Sequence, residues 1–402
     1  MNKHDPIEAG LTRRQTLLAM LGAAGLSACG GGGDVAGVGQ GGTGAFSVGP
    51  ITGLGSIIVN GIRYDDSRAS ISDDDSPFGR EDLRLGMVVA VQGSPAVLGQ
   101  STATRIVLGG ELVGPIASKA VDGLSFVVLG QTVNIGGSTV FANRSGLSAL
   151  NTNDVVEVHG IANPANDSLD ATYVEYKSSA SEYRIQGIVD SIGAGDRFTI
   201  NGLQMDYTDA DDVRVIPVVG ALVRVRLATA PVDGAYPVNR IRKPEDSFSG
   251  FSGEVEFKGT ITAFTSTASF SVNDLPVNAS GASFPEGTAG IEAGAFVEVK
   301  GTLINGVVVA GRVKLDDDGA AGGAGTEFEL HGTVSAATTP GSSGSFTLTS
   351  SGDVAVPVDW TSGTVFRDGS SADLLGPNAL VEVKGTLTSG NRVTATRISF
   401  ER

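Results

Sequence analysis

Phe296-Val297-Glu298-Val299-Lys300-Gly301 is the stretch on which the fold turns, because near copies of it recur along the chain. The copies are Val88-Val89-Ala90-Val91-Gln92-Gly93, Val155-Val156-Glu157-Val158-His159-Gly160, Leu222-Val223-Arg224-Val225-Arg226-Leu227 and Leu380-Val381-Glu382-Val383-Lys384-Gly385. Each alternates apolar and polar residues, the period of a strand with one buried face, and all but the Leu222 copy close on glycine. From Val89 the equivalent valines are Val156, Val223, Val297 and Val381, at steps of 67, 67, 74 and 84 residues. Such a period is too long for a solenoid unit and suits a small domain that closes its own core.

Working outward from the signature strand, each unit has the same order. It opens with an apolar strand through a glycine, as in Val48-Gly49-Pro50-Ile51 and Lys258-Gly259-Thr260-Ile261. A hairpin follows, with tight-turn residues Asn60-Gly61, Gly130, Asn201-Gly202 and Asn273-Asp274 that tolerate positive φ. A short polar segment, with room for one helical turn or two, leads into the signature strand. The unit ends on Ala103-Thr104-Arg105-Ile106, Ala310-Gly311-Arg312-Val313 or Ala395-Thr396-Arg397-Ile398, with Ala171-Thr172-Tyr173-Val174 and Val238-Asn239-Arg240-Ile241 as departures. Three strands, a short helix and two strands predict an all-β chain of five tandem five-stranded Greek-key barrels of OB-like type, with small β-sandwiches as the alternative. The repeats are expected at 45–108, 109–177, 183–243, 253–318 and 327–402. The breaks Pro244–Gly253 and Asp316–Thr326 are expected to let their neighbours swing.

The chain has 402 residues, 41% hydrophobic but only 6% aromatic, with 58 glycines, a turn-rich and β-rich balance. Residues 1–28 read as an export leader. Arg13-Arg14 followed by Leu17-Leu18 resembles a twin-arginine signal, and Leu26-Ser27-Ala28-Cys29 resembles a lipobox, whose cysteine is acylated and becomes the N-terminus. Cys29 is the only cysteine. The apolar run from Leu17 to Gly25 falls well short of the about 20 residues a membrane span needs. Residues 29–44 form a glycine-rich tether with a reach of roughly 20 Å.

Removing the leader leaves 25 basic against 42 acidic residues, a net charge near −17. That surface repels nucleic acid and anionic headgroups, so membrane attachment falls to the lipid on Cys29.

With the first-strand glycine, the Val-x-Val-x-Gly strand and the closing Ala-x-Arg-Ile in view, the chain resembles a bacterial family catalogued as domain of unknown function 5666, found in tandem in secreted proteins and lipoproteins. The resemblance runs from about residue 45 to 400 and is weakest in repeat 3, where Leu227 replaces the glycine. It implies no activity and no catalytic residues.

The residues themselves offer little chemistry. The mature chain has two histidines, His159 and His331, in strand positions that other repeats fill with Gln92, Lys300, Lys384, Gln186 or Lys258, so both read as solvated rather than as bases for a nucleophile. Asp73-Asp74-Asp75, Asp209 with Asp211 and Asp212, and Asp316-Asp317-Asp318-Gly319 are oxygen-rich loops that could hold calcium but lack EF-hand spacing. Glu157, Glu298 and Glu382 share one outward slot of the signature strand. Trp360, Tyr64, Tyr173, Tyr183 and Tyr236 could stack on sugars or serve as packing. The expectation is a non-catalytic envelope lipoprotein, periplasmic or in the outer membrane. It would use no cofactor and bind an envelope protein or polysaccharide, not nucleic acid. A calcium- or glycan-binding module is the alternative.

Overall fold

The computed structural model describes residues 45–73, 76–109, 111–316, 327–337, 342–350, 355–367, 371–388 and 392–401. Arg13, Arg14, Cys29, the tether, Asp74, Asp75 and Asp317–Gly319 lie outside the described residues. Those described are all-β with short 3-10 turns, and they fall within one compact unit, residues 38–402.

Repeat 4 is a closed barrel with the OB strand order. Its first strand, Gly253–Ser266, pairs antiparallel with Ser269–Val272, which pairs with Leu275–Asn278. That third strand runs parallel to the closing strand Val307–Leu315, which lies antiparallel to the signature strand Phe296–Ile304, and the signature strand returns to the first. The other four repeats have the same ring of pairings. In repeat 3 the first strand is split into Tyr183–Ile188 and Ser191–Ile192. Val297 and Val299 are fully buried in the barrel, whereas Lys300 stays exposed, as the alternation requires.

Three recurrent sequence features now have a cause. The glycine after the signature strand sits at a β-bulge opposite the alanine of the closing motif: Gly93 with Ala103, Gly160 with Ala171, Gly301 with Ala310, Gly385 with Ala395. A Cβ at Gly301 would lie 2.3 Å from the Val309 carbonyl oxygen, so a side chain cannot pass there. Leu227, the repeat 3 departure, stands at the same irregularity, where its strand ends, and is buried opposite Val238.

The residue two positions before the signature strand is left-handed in every repeat, at Gly86, Asn153, Gly220, Gly294 and Asn378. Each donates its backbone N–H to an aliphatic residue of the first strand, at Ile51, Ile116, Val189, Ile261 or Val334. The arginine or tyrosine of the closing motif marks where a further short stretch rejoins the sheet, through the register pairs Ser70↔Arg105, Val140↔Tyr173, Asp212↔Arg240, Ser283↔Arg312 and Val365↔Arg397. The expected helical turn forms as a 3-10 turn at Arg80–Asp82, Leu147–Ala149 and Ala372–Leu374, but not at the corresponding place in repeats 3 and 4.

The barrels do not behave as a loose string. Repeat 1 touches all four others. Its first strand pairs parallel with that of repeat 5, Gly53↔Glu329 and Leu54↔Leu330. Thr172 of repeat 2 donates to the Gly86 carbonyl at 2.6 Å, Arg184 of repeat 3 meets Asp73 at 2.6 Å, and Asn273 of repeat 4 donates to the Val48 carbonyl at 3.0 Å.

The expectation that Pro244–Gly253 swings freely is wrong. It holds a 3-10 turn, Pro244–Phe248, and its Phe248 and Phe251 are buried edge-on against Phe46 of repeat 1. Two large apolar rings in a polar-looking linker have nowhere to go but a core, and the nearest core lies between repeats. Asp316–Thr326 lies outside the described residues from 317 onward.

Candidate functional site

Both histidines are buried, His159 at 0% and His331 at 4% exposure, which overturns the reading of a solvated strand face. Contact between repeats buries faces that a lone barrel would expose. His331 lies so close to Gly55 of repeat 1 that a Cβ on that glycine would stand 2.6 Å from the His331 Cβ. Each histidine has a glutamate two residues before it on the same strand face. His159 Nε2 lies 3.1 Å from Glu157, and His331 Nε2 lies 2.9 Å from Glu329 while its Nδ1 lies 2.5 Å from Glu401.

Burial alone would push the Glu157 carboxyl up, but its bond to His159 and the charge of Lys177 outweigh this and hold it at about 2. The same balance, with His331 and Lys384, holds Glu329 at about 2. The Tyr173 phenol is pushed up by its burial and by Glu175, to which it donates at 3.1 Å. These are charge-satisfying clusters whose described partners are carboxylates and ammonium groups, not a nucleophile with its base.

Among the described residues, Glu329, His331 and Glu382 bring ligand atoms within 4.8 Å of one another. The Lys384 ammonium already stands among them, 2.5 Å from Glu329 and 3.8 Å from Glu382, and supplies the positive charge a metal ion would bring.

The acidic loops face cations of the protein itself. Asp73 pairs with Arg184 and Arg226, Asp212 with Arg214, Arg240 and Arg242, and Asp316 with Lys258. Arg184, Arg226 and Arg240 lie side by side across three strands of repeat 3, so the carboxylates offset a row of like charges. Asp209 and Asp211 stay exposed.

The signature-slot glutamates are half-buried and ion-paired: Glu298 with Arg312 at 2.6 Å, Glu157 with Lys177 at 3.2 Å, Glu382 with Arg397 at 3.8 Å. Trp360, Tyr64, Tyr173 and Tyr183 are core residues, and Tyr236 is half-buried against Tyr183, so the five do not make a sugar platform.

What the molecule does present is an aliphatic ridge on repeat 3. Ile216, Val218 and Val219 are 62%, 57% and 64% exposed, beside Ile188 at 53%. Backbone bonds from Val189 to the Ala221 carbonyl and from Gly220 to the Val189 carbonyl, both 2.9 Å, fix the two segments together. Other repeats use this segment to plug the barrel with Leu83 and Leu85, Leu147 and Leu150, Ile291 or Leu375. Repeat 3 plugs it with Pro217, which leaves the flanking aliphatics pointing outward. The signal was present in the sequence: Val215-Ile216-Pro217-Val218-Val219 is apolar where the other repeats are polar.

No curated protein matches the chain. Seven chains of solved structures match; one of them, drosophila Unr CSD456, is 19% identical, with 41% of this chain and 82% of that one covered and a TM-score of 0.16, too loose a superposition to carry an argument. One family matches in four tandem stretches, residues 48–107, 113–175, 258–314 and 331–399, more than half of the chain. The stretches correspond to repeats 1, 2, 4 and 5, those with the glycine–alanine bulge. The chain belongs to that family, described as Domain of unknown function (DUF5666).

Proposed function

We propose that the protein is a non-catalytic lipoprotein of the bacterial cell envelope, exported on the Arg13-Arg14 leader, held by a lipid on Cys29, and binding a partner protein through the ridge of repeat 3. The observation that carries this reading is the ridge itself. Four large aliphatic side chains, more than half exposed and carried on two segments joined by backbone bonds, offer apolar surface of the kind that marks protein contacts. The calcium and glycan readings gain no support, since Asp73, Asp212 and Asp316 are taken by arginine and lysine and the aromatic residues are largely buried.

The test is the full chain produced in a bacterium with a photo-crosslinking residue at Val218, or at exposed Lys300 as control, alongside fatty-acid labelling. The reading expects a label that Cys29→Ser abolishes and one discrete adduct from Val218 alone, lost in Ile216→Glu. A label that survives Cys29→Ser, equal adducts from both positions, or an adduct that is only a second copy of the chain would overturn it.

A further inference from the structure

We propose that the pocket where repeats 1, 2 and 5 meet is a binding site for a medium-chain carboxylate, an aliphatic tail of about six to ten carbons with an acid head. This goes beyond the ridge of repeat 3 and does not depend on it. The pocket has a volume of about 280 Å³ and is walled by Leu54 and Leu85 of repeat 1, Val140 and Tyr173 of repeat 2, and Val356 of repeat 5. That is nearly twice the ~150 Å³ in which an apolar cavity holds a benzene ring. The pocket opens to solvent, so a ligand can reach its apolar walls without unfolding the barrels.

The walls are set by strong contacts. Next to the pocket, Thr172 donates to the Gly86 carbonyl at 2.6 Å, and Gly86 lies so close to repeat 2 that a Cβ there would be 2.2 Å from the Thr172 carbonyl oxygen. Repeat 5 is held by the strand pairing at Leu54 itself. The site is therefore preformed. The Tyr173 phenol is already committed to Glu175, so its ring is a wall and not a hydrogen-bonding head.

Arg84 decides the ligand's polar end. It is the one charged residue lining the pocket among the described residues. Its guanidinium donates to the carbonyls of Glu81 and Leu83, and no carboxylate pairs with it among the described residues. A half-buried guanidinium that lacks a counter-charge, at the edge of an apolar pocket, selects an anionic head over a neutral one.

The experiment is isothermal titration of the mature chain with octanoate and with octan-1-ol. The proposal expects one octanoate per chain and affinity about tenfold above that of the alcohol. Arg84→Gln should erase the preference and leave alcohol binding as it was. Ala142→Phe, which fills the pocket from repeat 2, should abolish both. Equal binding of acid and alcohol to the unaltered chain, no binding of either, or a preference that survives Arg84→Gln would overturn the proposal. Arg84 is only half-buried, so its variant decides the matter even if Ala142→Phe fails to fold.

Discussion

Arg312 of the closing strand donates to Glu298 of the signature strand at 2.6 Å, so the two motifs by which the repeat is recognised in sequence touch in space. Repeat 5 sets Glu382 and Arg397 in the same two positions as a looser ion pair, 3.8 Å apart. Where repeat 1 has Ala90 instead of glutamate, Arg105 turns outward to the Ser249 carbonyl and the Phe251 ring, tying repeat 1 to the segment before repeat 4. One slot therefore serves either the barrel or the contact between barrels.

Substitutions along the signature strand should divide by parity. Val297→Ala and Val299→Ala open cavities in a closed barrel and should cost on the order of 1 to 3 kcal/mol. Glu298→Ala removes a partly exposed ion pair and should cost less than about 1 kcal/mol, and Lys300→Ala less than about 0.5 kcal/mol. Urea unfolding of the mature chain measures all four. A loss at Glu298 as large as that at Val297 would mean that the slot does more than pair charges.

Gly301→Ala should be among the most damaging single-atom changes, at about 2 to 3 kcal/mol, because the new Cβ meets the Val309 carbonyl and the Ala310 backbone. Gly311→Ala, whose Cβ would meet only the Lys300 carbonyl oxygen at an ordinary 3.8 Å, is the control and should be tolerated. Matching melting points for the two variants would remove the bulge as the reason for the recurrent glycine.

Acid should loosen the histidine clusters. Glu157 and Glu329 are held at about 2, below their ordinary 4.5, so the stability they contribute is complete above about pH 4.5 and is lost as pH falls through about 2. Glu329→Gln should lower stability at pH 7 and flatten the fall between pH 4.5 and 2. An unchanged slope in that window would show that the carboxylate is not bonded as described.

Asp274 works in the opposite sense. Burial pushes its carboxyl up, against the bond from Gln186 at 2.9 Å, so ionisation at neutral pH costs stability. Asp274→Asn keeps the acceptor, tolerates the φ of 65° and should raise the melting temperature at pH 7 while changing little near pH 3. A lower melting temperature at pH 7 would mean that the charge is wanted there, by Arg224.

Strand order and parity were legible because each depends on residues within one repeat. Val297 and Val299 alternate with Glu298 and Lys300 whatever surrounds them, and Asn201-Gly202 or Asn273-Asp274 can hardly be anything but tight turns. The burial of His159 and His331 was not legible, since it depends on which outer face meets another barrel, and no local period encodes that. Phe248 and Phe251 were readable in principle: two aromatics in a short linker are a poor fit to a solvated hinge. The pocket at Arg84 could not be read at all, since its walls come from three repeats and its volume from their exact spacing.

Small-angle X-ray scattering on the chain from residue 45 onward tests the central claim that five barrels pack as one block around the first. The account predicts a radius of gyration of about 21 Å, as for a single compact body of that length. A value of roughly 30 Å or more, as five barrels on flexible links would give, would contradict it.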